Sequence, residues 1–559
     1  MSRRRSPITL CAVLLLLSSV GVHAARLPAD DPPKLVVQIT VDQLRGDLPT
    51  RFLDRMPDGG FRYLLEHGTH YRDAHHRHAN TETAVGHSTL ATGADPAQHG
   101  IVSNDWTDPV TGAFVYNTED DRYHIVGREP KAHEGVSPRN LLASTTGDEL
   151  VLSNAGASRV FSVSGKDRGA ILPGGHAGKA FWYSKSTGEF VTSTYYYDEY
   201  PEWVSAWNAG QPAQRYSGTL WELVQPLEDY VAKGLDDRPY EADFQELGRT
   251  FPHGYGEGKY LPLIVGITPA IDELTLEFAK LVLENEQLGR GEATDFLAIS
   301  FSATDYVGHL FGPASLESED NLLRLDRVLA DLFATLDETV GLEHTLIALS
   351  ADHGAPEAPE YAASIGLEAG RFAFDHFKQP NELTAALQER YGRDDFIATH
   401  SHPYLHLDRA AIADAGLELA EVERFLAAEV IKIPGMRYAM SSSEMRDGQT
   451  VDTEMQRQIV RNYHPDRSGS IHLVQDQYWF MHSTDEAHKM GLAGLAAIHG
   501  SPWAYDTYVP ILFAGHKVPA QVVSRRVATV DLAATLAAYL GIKPPSGCVG
   551  EPLVEVLAR

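Results

Sequence analysis

Short apolar runs closed by polar or turn residues recur along the chain, and longer stretches with helical spacing separate them. Residues 35–41 end at Asp42, and 159–164 run into Gly165-Lys166-Asp167-Arg168-Gly169. Residues 296–301 are followed by Asp305, residues 345–350 by Asp352-His353, and a fifth run covers 509–513. Such runs read as strands of a parallel sheet buried on both faces. Helical patterns cover 48–66, 270–288, 316–340 and 530–540. Strands alternating with helices predict an α/β fold, a doubly wound and mainly parallel sheet flanked by helices. In such sheets ligands bind at the carboxyl ends of the strands, where the polar residues named above fall.

Two stretches break the pattern. Residues 181–192 predict a hairpin turning at Ser186-Thr187-Gly188, and an aromatic-rich segment, 195–230, follows it. Residues 356–495 hold a helical pattern of their own over 417–430 and a strand over 470–475. No Gly/Ser- or Pro-rich linker bounds them, so they read as a cap inserted over the sheet end. The expected organisation is a leader at 1–24, a core at 25–355 with a small insertion at about 175–265, the cap at 356–495, and the rest of the core at 496–559.

The leader changes the expected destination. Arg3, Arg4 and Arg5 precede an apolar run over 8–20, and Val22-His23-Ala24 has the small-residue form of a cleavage site. The run is too short for a membrane span. Export to a periplasm or the medium is therefore expected, with no membrane association. Once Cys11 leaves with the leader only Cys548 remains, which excludes an intrachain disulfide and reads as a small buried residue. The formal charge of −29 disfavours binding to nucleic acids and anionic lipids. It would also repel phosphate esters, so a phosphate site must carry its own local cations. Oligomeric state is not legible, a monomer being favoured over an assembly.

Asp305 and His309 stand four residues apart, on one face if helical. Alone, a D-x-x-x-H spacing is weak. Convergence carries more weight: Asp42, Asp305 and Asp352 with His309, His353 and His499 all fall at the same expected sheet end. Six ligands suffice for two ions with coordination positions left open, and mixed nitrogen and oxygen donors suit zinc. His70, His75, His76 and His78 show no such geometry and read as a solvated loop or strand edge. Thr83 stands before an expected helix over 84–91, where free N–H groups suit a phosphoryl oxygen. On local sequence alone Thr83 or Thr81 reads better as an N-cap, and the K-D-R of residues 166–168 as a solvated turn.

The stretches TETAVGHSTLATG from Thr81, KDRGAILPGGH from Lys166, SATDYVGH, ADHG, YHPDRSGSIHLV from Tyr463 and AIHGSPWAYDTYVPILF resemble the alkaline phosphatase superfamily. Within it the likeness is to the phosphate-irrepressible, threonine-dependent phosphomonoesterases, over nearly the whole mature length. The resemblance implies Thr83 as a nucleophile that forms a phosphothreonine. It implies Asp42, Asp352 and His353 as ligands of the zinc that also meets Thr83, and Asp305, His309 and His499 as ligands of a second zinc. Asn104, Lys166 and Arg168 match the residues that hold phosphoryl oxygens. The expected substrates are small phosphate monoesters. The nearest rival is a nucleotide pyrophosphatase/phosphodiesterase, which shares the ligands and threonine but lacks the Lys/Arg pair. A non-catalytic phosphate-binding protein on the same fold is the other.

Overall fold

In the computed structural model, residues 31–373, 381–448, 451–482 and 494–557 are described. The expected leader, 1–24, lies outside them. The main sheet has nine strands. At its centre Leu35–Val41 pairs in parallel with Asp295–Phe301 on one side and Thr345–Ser350 on the other. Val160–Ser164 and Lys179–Tyr183 continue the parallel part beyond Asp295–Phe301. Side chains of the central strand alternate between two cores. Leu35, Val37, Ile39 and Val41 meet the helices Ala270–Asn285 and Leu316–Thr339 in one cluster. Val36 meets Leu90, Leu150, Leu532 and Leu536 in another. Burial on both faces is why these strands read as unbroken apolar runs.

The expected doubly wound α/β fold is present, and its sheet is more mixed than the sequence pattern suggested. Tyr508–Gly515 is antiparallel to Thr345–Ser350, not parallel. An apolar run carries no information about direction; the partners decide it. Beyond it lie two strands the pattern did not reveal, Thr69–His75 and Gln521–Ala528. The first is polar in composition, and its histidines are expected in a solvated loop or at a strand edge, yet it is an inner strand. His70 and Tyr71 on it are buried, as are His76 and His78 just past its end. His76 lies 3.0 Å from both Thr529 Oγ1 and the Ala351 carbonyl. Cys548 is free and half-buried, not fully buried.

The helical pattern over 48–66 breaks into the helix Leu48–Arg51, a 3-10 turn and the helix Phe61–His67. Gly60 enforces the break, since a Cβ there would lie 2.2 Å from Asp326 Oδ1. The hairpin expected inside an insertion extends the main sheet instead. Phe190–Val191 pairs antiparallel with Lys179–Tyr183, and Gly188 turns with φ +78°. Phe190 stacks on Phe278 of the Ala270–Asn285 helix at 4.3 Å, which ties the hairpin to the core.

Between the Thr345–Ser350 and Tyr508–Gly515 strands stands a separate antiparallel sheet, ordered Ile397–Ser401, Tyr404–Leu407, Ile471–Gln475 and Met436–Ser441. It has its own core, including Leu405, Leu426 and Leu473. Its seam with the main body is part apolar, with Tyr404 packed among Ala84, Ile101 and Leu141, and part polar. Arg467 donates to the Gly100 and Asn140 carbonyls at 2.6 Å, and His402 Nε2 sits 2.9 Å from the Gly500 carbonyl. No described helix is long and apolar enough to cross a membrane.

Asp326, fully buried on the Leu316–Thr339 helix, accepts the Phe61 N–H at 2.7 Å, while its Oδ2 has no hydrogen bond. Burial lifts its carboxyl from 3.8 to about 6, against the pull of the Phe61 N–H and Arg62. The folded chain therefore prefers the neutral acid. That stabilisation is full below 3.8 and is lost as pH rises through about 6. In paired denaturant-unfolding series, Asp326→Asn should differ from wild type by an amount that changes between about pH 4 and 6 and is flat above about 7. Parallel stability curves would sink the assignment.

Candidate active site

Three adjacent strands end side by side and deliver three carboxylates. Asp42 follows Leu35–Val41, Asp352 stands two residues past Thr345–Ser350, and Asp305 lies in the first turn of the Ala303–Phe311 helix after Asp295–Phe301. Neighbouring strands run about 4.8 Å apart, so like charges gather wherever each strand end carries an acid. All three are at most 3% exposed. Such a cluster is unstable without compensation.

Three imidazoles face it in one common manner. His309 Nδ1 lies 2.8 Å from the Ala497 carbonyl, His353 Nδ1 3.0 Å from that of Gly354, and His499 Nδ1 2.8 Å from that of Thr81. A carbonyl only accepts, so each Nδ1 carries hydrogen and each Nε2 is left toward the acids. His309 Nε2 is 3.1 Å and His499 Nε2 3.3 Å from Asp305 Oδ1, and His353 Nε2 is 3.4 Å from Asp42 Oδ1. The His353 and His499 rings stack at 3.5 Å. Metal-ligating histidines are oriented through the other ring nitrogen in this way.

The donors fall into two groups whose ligand atoms lie within 4.8 Å of one another: Asp305, His309 and His499, and Asp42, Asp305 and His353. Asp352, expected beside Asp42 and His353, has Oδ2 3.5 Å from His353 Nε2. Both Asp42 oxygens, Asp352 Oδ2 and His353 Nε2 are buried without a hydrogen bond. Unsatisfied oxygen and imidazole donors converging on one spot fit divalent cations, with mixed ligands of the zinc type.

Lys166 Nζ approaches Asp42 Oδ2 at 2.7 Å and Asp305 Oδ2 at 2.5 Å, although its direction gives Asp42 no hydrogen bond. Burial disfavours charge on Lys166, but Asp305 and Asp42 outweigh it and hold the ammonium protonated above its usual range. His353 is likewise raised to about 9, with Asp352 and Asp42 overcoming burial. His499 is lowered to about 3, chiefly by burial and then by His353. Asp305 stays well below the usual carboxylate range: burial would raise it, yet His309 and Lys166 prevail. A cation entering here competes with protons as well as with Lys166.

Thr83 reaches the same end along the strand that the sequence pattern missed. Thr69–His75 points its carboxyl end there, with His75 opposite Tyr508, and Thr83 opens the helix Thr83–Thr92. It is not the N-cap. Glu82 holds that position in extended conformation, and Thr81 Oγ1 donates instead to the Ser501 carbonyl. Glu82 accepts the Asn104 N–H at 2.7 Å and the Ser103 hydroxyl at 2.6 Å. Asn104 Oδ1 in turn accepts the Ala84 N–H at 3.0 Å, which leaves its Nδ2 as the group to donate outward. Lys166 stands at the N-cap of the Asp167–Gly174 helix, and Arg168 lies in its first turn with a buried Nε that has no hydrogen-bond partner. All ten expected site residues thus border one end of the sheet.

Several supports fall outside the residues singled out from sequence. Gln43, at φ +66°, donates its N–H to Asp352 Oδ1 at 3.1 Å and its side-chain amide to Asp305 Oδ1 at 2.8 Å. Asp272 accepts the Ser302 and Ala303 N–H groups at 2.7 and 3.0 Å, satisfying the start of the helix that carries Asp305 and His309. His87, one turn after Thr83, holds the Thr83 carbonyl at 2.9 Å and Ser300 Oγ at 2.8 Å, and stands 3.1 Å from Asp352 Oδ2. Only His87 could have been found from sequence, by its i+4 offset from Thr83.

Gly86 sets the distance between the Thr83 helix and Asp352: a Cβ there would lie 1.9 Å from the Asp352 carbonyl oxygen. Gly86→Ala should cost about 1–3 kcal/mol of stability through overpacking and lower turnover by separating Thr83 from the acids. Gly234→Ala, where a Cβ meets nothing within 4 Å, is the control for unfolding and activity assays. A Gly86→Ala protein as stable and active as that control would show that the contact sets nothing.

Comparison with known proteins shows what the whole chain is similar to. Residues 36–502 match the family described as type I phosphodiesterase / nucleotide pyrophosphatase. A Myroides odoratus protein named calcium-transporting ATPase is 36% identical over 537 residues, 95% of each chain. Alkaline phosphatase PafA of Elizabethkingia meningoseptica is 35% identical over 98% of this chain and 99% of its own. A crystal structure of wild-type alkaline phosphatase PafA superposes with a TM-score of 0.86 at 35% identity, covering 95% of this chain and 100% of that one.

Proposed function

Because the chain belongs to the type I phosphodiesterase / nucleotide pyrophosphatase family and shares nearly its whole length with an alkaline phosphatase, we propose that it releases inorganic phosphate from small monoesters through a phospho-Thr83 intermediate. It is an alkaline phosphatase, a phosphoric monoester hydrolase of α/β fold. The observation that carries the finer reading is the shared orientation of three histidines, each Nδ1 tied to a carbonyl and each Nε2 facing buried acids beside Thr83.

Asp42, Asp352 and His353 would hold one divalent cation beside Thr83, and Asp305, His309 and His499 a second; the donor types favour zinc for both. Bound cations of this kind lower the pKa of a hydroxyl and offset charge on the oxygens entering and leaving phosphorus. Thr83 stands at a helix start, where N–H groups and the helix dipole face an anion. Its Oγ gives up its proton to solvent and forms the bond to phosphorus as the ester P–O bond breaks, and the departing alkoxide takes a proton back from solvent. Water then attacks phosphorus and loses a proton, the phosphothreonine bond breaks, the Thr83 oxygen regains a proton, and inorganic phosphate leaves. Asn104 Nδ2, the Lys166 ammonium and the Arg168 guanidinium bind the non-bridging oxygens, where a loose transition state carries its charge. A monoester dianion has three such oxygens and two charges, matching two cationic side chains and an amide. Export through the leader at 1–24 completes the proposal.

Metal analysis should find two zinc ions per chain, and His353→Ala and His499→Ala should each lose one. Thr83→Ala should abolish turnover while keeping the metal, and acid-quenched wild type should carry one added phosphoryl mass on Thr83. Lys166→Ala with Arg168→Ala should lower kcat/KM for p-nitrophenyl phosphate by about 10²–10³ and that for its bis-ester far less. Equal losses on both substrates would sink the monoester assignment.

A further inference from the structure

Lys185 sits exposed in the hairpin turn between Lys179–Tyr183 and Phe190–Val191, outside the motifs that mark the site. Its Nζ is 2.9 Å from the Tyr306 hydroxyl and 4.7 Å from the centre of that ring. Tyr306 follows Asp305 directly, on the helix that also carries His309. The ammonium of Lys166 packs on the same ring at 4.8 Å. One phenol therefore joins the buried cation of the site to a second, exposed cation.

The two lysines differ in how their charge is answered. Lys166 has Asp42 and Asp305, and Arg168 has Asp167 at 3.8 Å. Among the described residues no carboxylate pairs with Lys185. In a chain of net charge −29, acids to pair with are plentiful. A lysine left unpaired beside two other cations adds local positive potential where an anion is to be met. The hairpin is fixed to the core through Phe190 and Phe278, so the position is held by the fold.

Resting on the phosphatase reading above, we propose that Lys185, with the Tyr306 hydroxyl, forms a subsite for a second anionic group carried by the leaving group. Substrates whose alcohol bears a carboxylate or a further phosphate would engage it, and simple neutral alcohols would not. Lys185 touches the leaving group and takes no part in bond making, so its effect falls on KM.

The experiment compares phenyl phosphate with meta-carboxyphenyl phosphate on the metal-loaded full chain. Lys185→Ala should lower kcat/KM for the carboxylated ester about fivefold, the scale of one exposed ion pair, and leave phenyl phosphate within about twofold. Lys185→Arg should retain the preference, and added salt should erase it in wild type. Equal losses on both esters would overturn the proposal, since Lys185 would then act only by holding Tyr306. A Lys185→Ala protein unchanged on both would overturn it as well. Wild type that hydrolyses neither ester would remove the phosphatase reading and the subsite with it, a result distinct from either.

Discussion

The rest of the site depends on one electrostatic constraint. Asp42, Asp305 and Asp352 are buried together at the ends of neighbouring strands, and three carboxylates so placed repel one another strongly in a low dielectric. Each nearby feature reduces that cost. Backbone N–H groups of Gln43 and His353 reach Asp352, the Gln43 amide reaches Asp305, and Lys166 spans Asp42 and Asp305. The compensation is incomplete, since both Asp42 oxygens remain without a hydrogen bond. A protein that keeps a costly anionic cluster only partly answered is one prepared to take up positive charge.

Rigidity follows from the same constraint. Groups crowded this closely must be held against their own repulsion, and here all but Asp42 are held from behind. The histidines are fixed by carbonyls, Asp305 by a helix whose start Asp272 caps, and Asp352 by the Gln43 and His353 N–H groups. Gly86 and His87 then bring the Thr83 helix against the Asp352 backbone and carboxylate respectively. Charge, helix position and Thr83 are coupled through a few close contacts. This is the arrangement electrostatic preorganisation needs, because groups already in place do not reorganise during the reaction.

What could be read from sequence was what lies at element ends. Asp42, Asp352, Lys166 and Asp305 follow apolar runs, and a parallel sheet gathers such positions without further information. The direction of Tyr508–Gly515 and the existence of Thr69–His75 depended on pairing partners hundreds of residues away. Thr69–His75 also mixes polar and apolar residues, so histidines that looked solvated are packed inside. Gln43 and Asp272 were illegible for a related reason. Their role is to meet backbone and side-chain groups from other strands, and nothing in their local sequence marks it. Thr83 stood between: its helix was visible, but the strand that carries it to the acids was not.

The overall charge and the site charge act over different distances. At physiological salt the field of a −29 surface fades beyond roughly 8 Å. An anionic ester is therefore not excluded by the net charge; its capture is decided in the last few ångströms, where local cations prevail. Burial is graded along that path. Lys166 is enclosed, the Arg168 side chain is 21% exposed, and Lys185 is open. Desolvation strengthens each successive contact, so on the proposed reading a phosphoryl group would meet increasing positive potential as it leaves water. The acids beneath would reverse that gradient if they stood alone. On the proposed reading the phosphate and metal sites form one electrostatic unit: divalent cations taken up by the carboxylates would also free the charge of Lys166 for a substrate.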